Sequence, residues 1–290
     1  MPELPEVEHV KRGIEPYILN ATIKSVTFSN KVIEGKQQGK ETIIKGINLD
    51  GFRLNSESFK IKSIDRRSKY IVFTIEKNNN QRIILSHLGM AGGFFIVDKL
   101  SDISTPNYRK HWHVVFHLDN GKQLVYSDIR RFGELRNLAT YNDYPAFLEI
   151  APEPFDDNAL NYFLDRIKLK KYQNKPIKQM LLDHKMIAGC GNIYACEALF
   201  RAGVLPERKV KDVSNQERQM LFYYVQEVLN EGINNGGTSI SDYRHADGKT
   251  GEMQLHLNVY KQKTCKICGH DIEQKVIASR NSHFCPHCQK

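Results

Sequence analysis

His111-Trp112-His113-Val114-Val115-Phe116-His117-Leu118 sets Trp112, Val114, Phe116 and Leu118 in alternation with His111, His113, Val115 and His117. A period of two places these sets on opposite faces of an extended chain, so the stretch predicts a strand with one face on a core. Leu124 and Tyr126 repeat the period before Asp128, and upstream Ile71, Phe73 and Ile75 alternate with Tyr70, Val72 and Thr74. Asn78-Asn79-Asn80 and Asp119-Asn120-Gly121 separate such runs as hairpin turns do. Residues 1–136 therefore read as an antiparallel β-sandwich or flattened barrel, with a helix from residue 2 to about 19 packed on it.

Further along the chain the period changes. A proline-containing linker, 137–153, precedes Leu160, Phe163, Leu164 and Ile167, which mark one amphipathic helical face. Ser214-Asn215-Gln216-Glu217 reads as a capping box opening a long helix with Leu221, Val225, Val228 and Leu229 inward, ended by Gly236-Gly237. Between them, Pro176 starts a helix over 176–185, Gly189-Cys190-Gly191 makes a tight turn, and a helix over 192–202 stops at Gly203. Two helices joined through a glycine turn form a common DNA-binding device. Residues 154–236 read as a helical DNA-binding domain, 237–260 as a polar, glycine-containing loop region, and 261–290 as a separate cysteine-rich module. The fold class is α+β and multidomain.

Composition narrows the function classes. The 290 residues are 40% hydrophobic and 26% charged, as in an ordinary soluble globular protein. No apolar run approaches the ~20 residues of a membrane helix, and the N-terminus has no signal-like stretch, so a cytoplasmic protein without a membrane partner is expected. A net charge of +9 and a pI near 9.1 favour polyanionic partners.

Four of the six cysteines fall in the last 26 residues, as Cys265-x2-Cys268 and Cys285-x2-Cys288 with sixteen residues between the pairs. That is the spacing of a structural zinc site of four thiolates, with a short hairpin between the knuckles. His283 and His287 could compete as ligands, but a closed set of four thiolates needs neither. One structural zinc ion is therefore expected. Cys190 and Cys196 stand apart and read as buried thiols.

Met1-Pro2-Glu3-Leu4-Pro5-Glu6-Val7-Glu8 carries a chemical possibility. Removal of Met1 would leave Pro2 with a secondary α-amine, and α-amino groups titrate near ~7.7–8.0, so part is nucleophilic at neutral pH. Attack on a sugar carbon would give an iminium, with Glu3 beside it as acid or base. Asn192 stands at a helix start, where backbone amides can hold a phosphate or the side chain can act only as a cap. Asp128-Ile129-Arg130-Arg131-Phe132-Gly133 sets two guanidiniums beside an aromatic. That suits a wedge in a base stack, or simply a turn with a buried Phe132 and solvated arginines. Met90 by default is a core methionine, and Arg66-Arg67-Ser68-Lys69 a solvated basic corner.

Taken together and in order, MPELPEVE, RRSKY, HLGM, RRFG, GNIYACEALF, GGTSISDYRHADGKTG and the four-cysteine ribbon resemble the bacterial formamidopyrimidine-DNA glycosylase family across nearly the whole chain. The resemblance implies a monomer that removes oxidised purines from double-stranded DNA and cuts the resulting abasic site by β,δ-elimination, working at the nucleoid. It implies an N-terminal β-sandwich with a packed helix, a helix-two-turn-helix domain and a zinc-ribbon hairpin. Pro2 would be the nucleophile, Glu3 the acid/base and Lys69 a catalytic lysine near the phosphate. Asn192, Arg280 and His87 would bind backbone phosphate, with Arg131 a further DNA contact. Met90, Arg130 and Phe132 would fill the void left by the extruded nucleotide. Glu6 would support the same site, and the 237–251 loop would close over the lesion. Ile129 stands where the family has proline, which should leave that turn less fixed, and residues 30–60 match nothing assignable. An endonuclease VIII-like pyrimidine glycosylase or a non-catalytic lesion-binding protein are the competing readings. Leu4 and the complete loop disfavour the first, and joint retention of Pro2, Glu3 and Lys69 disfavours the second.

Overall fold

A computed structural model describes residues 2–239 and 250–290, and the chain divides into two compact units. Unit 1 comprises Met1–Leu148 and Gly236–Gly251; unit 2 comprises Glu149–Asn235 and Glu252–Lys290.

In unit 1, helix α1 (Leu4–Ile18) buries Val7, Val10, Ile14 and Ile18. That 3-4-4 spacing keeps one apolar stripe against the sheets. The chain continues as β1 (Ile23–Phe28), α2 (Asn30–Gln37), β2 (Ile44–Lys45), α3 (Leu49–Leu54), β3 (Lys60–Arg67), β4 (Tyr70–Lys77), β5 (Asn80–His87) and β6 (Gly92–Val97). It then forms α4 (Pro106–Lys110), β7 (Trp112–Leu118), β8 (Gln123–Asp128), β9 (Glu134–Leu138) and α5 (Pro145–Leu148). Two sheets result, ordered β1-β7-β8-β6 and β2-β9-β5-β4-β3, with only β2 and β9 parallel. Ile71, Phe73 and Ile75 of one sheet and Val114, Phe116 and Leu118 of the other meet in one core, as their alternation predicts. Asn78 and Asn79 both take left-handed φ, 50° and 61°, which fits a two-residue turn to the twist of β4 and β5.

The region from 20 to 136 forms the β-sandwich that its alternation predicts, interrupted by α2, α3 and α4, the first two within the stretch that matched nothing. On the second face of β7, Val115 packs with Phe95, Tyr108 and Val125 in a smaller cluster, so this sheet is covered on both sides.

Unit 2 holds α6 (Ala159–Ile167), α7 (Ile177–Leu182), α8 (Asn192–Arg201) and α9 (Asn215–Asn234), then the hairpin β10 (Glu273–Ile277) and β11 (Arg280–Phe284). Ser214 caps α9, its hydroxyl accepting from Glu217 N–H while the Glu217 carboxylate accepts from Ser214 N–H. Buried Glu197 on α8 accepts four hydrogen bonds, from the backbone N–H of Asn258, Val259 and Tyr260 and from the Asn258 side chain, at 2.8–3.1 Å. These bonds fasten the entry to the cysteine module onto α8. At the chain end, Leu205 N–H donates to Lys290 C=O and Lys290 N–H to Gly203 C=O. No helix of the described residues is long and apolar enough to cross a membrane.

Candidate active site

Pro2 is buried and lies just ahead of α1, with Glu3 as that helix's N-cap at 2% exposure. Glu6, also buried, links two distant parts of unit 1. One carboxylate oxygen accepts from Glu3 N–H at 2.8 Å, the other from Thr238 N–H at 2.6 Å. Gly237, at φ +76°, lies so close that a Cβ there would sit 3.0 Å from the Glu6 side chain. The residues beyond it, 240–249, lie outside the described residues, and with them most of the loop expected to close over a lesion.

Lys69 occupies the two-residue turn between β3 and β4, after Ser68 at φ 57°, and has no acidic partner among the described residues. Arg66 beside it is not a solvated corner: it pairs with Glu8 at 2.9 Å with a side chain only 10% exposed. Burial alone would raise the Glu8 pKa, but its bond from Arg12 and the charge of Arg66 hold it below the usual range. His87, at the end of β5, accepts from Gly89 N–H on Nδ1 at 3.1 Å and packs on Tyr70. In the neutral ring this leaves the proton on Nε2.

The HLGM and RRFG loops meet backbone to backbone. A Cβ on Gly89 would lie 2.4 Å from Gly133 N, and one on Gly133 1.9 Å from the Tyr126 hydroxyl, so neither position admits a side chain. This contact sets Met90, Arg130 and Phe132 on one platform. Phe132 is 61% exposed and Met90 37%, which overturns the default readings of buried Phe and core methionine. The Arg130 guanidinium lies 5.1 Å from the Phe132 ring centre. Arg131 is exposed, at φ 57°. Ile129 does not loosen this turn. The buried Asp128 carboxylate accepts from Arg130 N–H at 3.0 Å and Gly133 N–H at 2.8 Å, while Ile129 packs on the smaller cluster.

Beside Arg130 and Arg131 opens a cavity of about 340 Å³, lined also by Lys31, Lys40 and His113. His113 donates from Nε2 to Asp128 C=O at 2.9 Å, leaving Nδ1 as a buried acceptor, and burial holds its pKa below that of free imidazole. These three residues were not singled out in the sequence, because no periodicity brings residues 31 and 40 to residues 130 and 131.

In unit 2, Asn192 begins α8 but does not cap it: Gly191 is the N-cap. The Asn192 side chain donates to Asn281 C=O at 2.9 Å and accepts from Lys178 Nζ at 2.7 Å. Lys178 is fully buried and also donates to Ser282 Oγ at 2.6 Å, so a single ammonium ties the start of α8 to β11. The one sequence signal for it was a lysine among Ile177, Met180 and Leu181, which a helical period makes a core position. Arg280, at the head of β11 after the left-handed turn Ala278-Ser279, is exposed. Cys196 is buried and its thiol pKa is raised by that burial, so it fits an inert thiol.

The four cysteine sulfurs of 265, 268, 285 and 288 lie within 4.8 Å of one another, with Cys265–Cys288 at 3.9 Å and Cys268–Cys285 at 3.4 Å. Tetrahedral zinc with Zn–S bonds of about 2.3 Å implies S···S near ~3.8 Å, so the set fits a structural zinc ion. Zinc here supplies cross-linking of the two knuckles and no catalytic position.

A β-sandwich with a Pro-Glu start, in one chain with a helical unit that ends in a four-thiolate ribbon, has the plan of a zinc-bearing DNA glycosylase. Family models match in the same order: the formamidopyrimidine-DNA glycosylase N-terminal domain over residues 1–135, the formamidopyrimidine-DNA glycosylase H2TH domain over 150–244, and the zinc finger found in FPG and IleRS over 262–290. A formamidopyrimidine-DNA glycosylase of Exiguobacterium is 37% identical over 294 residues, covering all of both chains. The MutM (FPG) protein of Thermus thermophilus superposes with a TM-score of 0.82 at 33% identity, over 99% of this chain and 98% of that one. Lactococcus lactis FPG in complex with an abasic site containing DNA gives 0.82 at 31% identity, over 99% of each chain. The chain belongs to the formamidopyrimidine-DNA glycosylase family and is an enzyme of that family.

Proposed function

We propose that this enzyme excises oxidised purines from duplex DNA and cleaves the abasic site through a Schiff base on Pro2. The observation that carries the reading is Pro2-Glu3 held at the buried start of α1, in a chain matching the family from end to end. With Met1 removed, the Pro2 nitrogen attacks C1′ of the damaged nucleotide, the C1′–base bond breaks and the base leaves. Glu3 moves the proton that opens the sugar, and β- then δ-elimination of the iminium cuts the strand on both sides. Lys69, without an acidic partner among the described residues, holds the adjacent phosphate.

Reaching C1′ requires extruding the nucleotide, at a cost of a few kcal/mol. Met90, Arg130 and Phe132 offset that cost by filling the gap, with Arg130 facing the orphaned base. His87 and Arg131 in unit 1, and Asn192 and Arg280 in unit 2, grip backbone phosphates. Lys178 supports the grip by orienting the Asn192 amide. The cavity of Lys31, Lys40 and Arg131 adds positive potential on unit 1. The enzyme acts as a monomer on lesion-bearing DNA, in a reducing compartment that keeps its thiolates free for zinc, at the bacterial nucleoid.

Borohydride reduction of the iminium tests this. Wild type should become covalently attached to DNA containing 8-oxoguanine. A form with a peptide tag ahead of Pro2, whose nitrogen is then an amide, should still bind that DNA but not trap. Equal trapping by the blocked form would move the nucleophile elsewhere, first to Lys69.

A further inference from the structure

We propose that the cavity beside Arg130 and Arg131 is a phosphate-binding pocket, built onto unit 1 by α2 and the residues that follow it. Lys31 of α2, Lys40 and Thr42 beyond it, Arg130, Arg131 and buried His113 all line it. Gly35 lets its walls approach: a Cβ there would lie 2.8 Å from the Thr42 methyl, so a larger residue would push α2 away from the 40–43 segment. The volume, about 340 Å³, falls within the ~300–1,000 Å³ of small-molecule sites. That leaves room for a phosphate and part of the group that carries it.

The lining holds more positive charge than the protein neutralises. Its one acid, Glu41, bonds to Lys45, whose charge, with those of Lys36 and Arg136, holds the carboxyl below the usual range. The buried Asp128 carboxylate is taken by the N–H groups of Arg130 and Gly133. Among the described residues Lys31, Lys40, Arg130 and Arg131 enter no ion pair, so four cations line one concavity. A concavity of one sign focuses its field and concentrates counter-ions. Two guanidinium forks and two ammonium points match a tetrahedral dianion, with oxygens on every side, better than a flat, singly charged carboxylate.

A second observation points to a ligand. His113 is 1% exposed, and with Nε2 donating to Asp128 C=O its Nδ1 has no partner. Burial, with the charges of Arg131 and Lys31, holds its pKa below that of free imidazole, so Nδ1 is a lone-pair acceptor at neutral pH. Ser29, whose N–H donates to His113 C=O, likewise has a buried Oγ without a partner. Hydrogen phosphate brings a hydroxyl donor as well as anionic oxygens for the cations. A backbone diester of the strand opposite the lesion shares the oxygens but lacks that hydroxyl, so the free ion or a phosphate monoester is the better match.

The probe is sodium phosphate, titrated calorimetrically into zinc-loaded, untagged full-length protein at an ionic strength fixed with NaCl. Lys31→Gln/Lys40→Gln should bind the pocket's equivalent at least tenfold more weakly than wild type. Lys24→Gln/Lys99→Gln removes the same charge at the opposite end of the sheet, beside the Ile23–Leu118 and Val97–Gln123 pairs, and should bind it as wild type does. Phosphate should also slow phenylglyoxal modification of Arg131 in wild type, a readout that needs no variant. Salt dependence of lesion-duplex binding separates the sources. A slope of log K against log salt that falls by about 0.9 in Lys31→Gln/Lys40→Gln assigns the pocket to a backbone phosphate, and an unchanged slope to the free ion. Phosphate binding unaltered by the Lys31/Lys40 change, or weakened equally by the Lys24/Lys99 change, overturns the proposal, as does an Arg131 that phosphate does not protect. None of these readouts depends on catalysis, so they stand or fall apart from the assignment of Pro2.

Discussion

Replacing Glu6 by Gln isolates the bond that ties the loop neck to the N-terminus. The carboxylate accepts one N–H on each oxygen, from Glu3 at 2.8 Å and from Thr238 at 2.6 Å. An amide can satisfy only one of them; its NH2 group must face the other donor. Both N–H groups belong to residues no more than 4% exposed, so water does not replace the lost partner. Leaving a buried donor unsatisfied costs about 1–3 kcal/mol. The Glu3 end is held within α1, where Val7 N–H donates to Glu3 C=O at 3.0 Å, so the Thr238 end gives way. Its amide should then exchange with solvent ~10–100-fold faster, at about 1.4 kcal/mol per tenfold. Hydrogen exchange read by mass spectrometry on the peptide spanning Gly236–Ser239 measures this. If the loop that follows this neck in sequence covers the base, as the family resemblance implies, excision of 8-oxoguanine should fall more than cleavage at a pre-formed abasic site. Unchanged protection at Thr238, with an unchanged urea midpoint, would refute the coupling.

Three further outcomes are expected. Cys265→Ala should lower zinc from one per chain to none and abolish lesion-DNA binding while the far-UV signature of the β-sandwich remains; full binding without metal would contradict the role given to the ribbon. Arg130→Ala should flatten the preference for a lesion opposite C over one opposite A, a contact worth ~1–3 kcal/mol, as read by single-turnover rates on the two duplexes. Glu217, bonded to Arg208, has its pKa lowered from 4.5 to about 2; its contribution is present above the unfolded value and disappears as pH falls from 4.5 toward 2. Glu217→Gln should therefore melt below wild type at pH 7 and level with it near pH 2, and a gap independent of pH would show that the bond is not ionic.

Much of this was legible from local pattern. Alternation at 71–75 and 112–118 reports burial directly, and the spacing of Cys265, Cys268, Cys285 and Cys288 reports a metal because two knuckles are a local geometry. Residues 30–60 were not legible: α2 and α3 are short, of eight and six residues, and carry too few turns for a helical period to show. Long-range polar contacts were equally silent. Lys178 reaches Ser282 over a separation of 104 residues, and nothing near either residue encodes the other. The exposure of Phe132 and Met90 was hidden for a different reason. Side-chain type argues for burial, and only the glycine-to-glycine contact of the two loops pushes both outward.

The interleaving of the two units has a consequence for the protein as it is being made. The chain leaves unit 1 after Leu148 and returns to it only at Gly236. Ribosomes add about 5–20 residues per second, so the roughly 90 residues from Leu148 to Thr238 take about 5–18 s. Throughout that interval the Glu6 carboxylate lacks its partner 232 positions downstream, and the N-terminal end of the sandwich is unfinished. Pro2 is buried in the completed fold, so the proposed Schiff-base chemistry requires that Met1 be trimmed before that closure, while the chain is still being made. It also follows that residues 1–148, expressed as a fragment, would carry the Pro-Glu start without the segment that fastens it. Vectorial synthesis thus places the exposure of the terminal amine before the closure of the site that would use it.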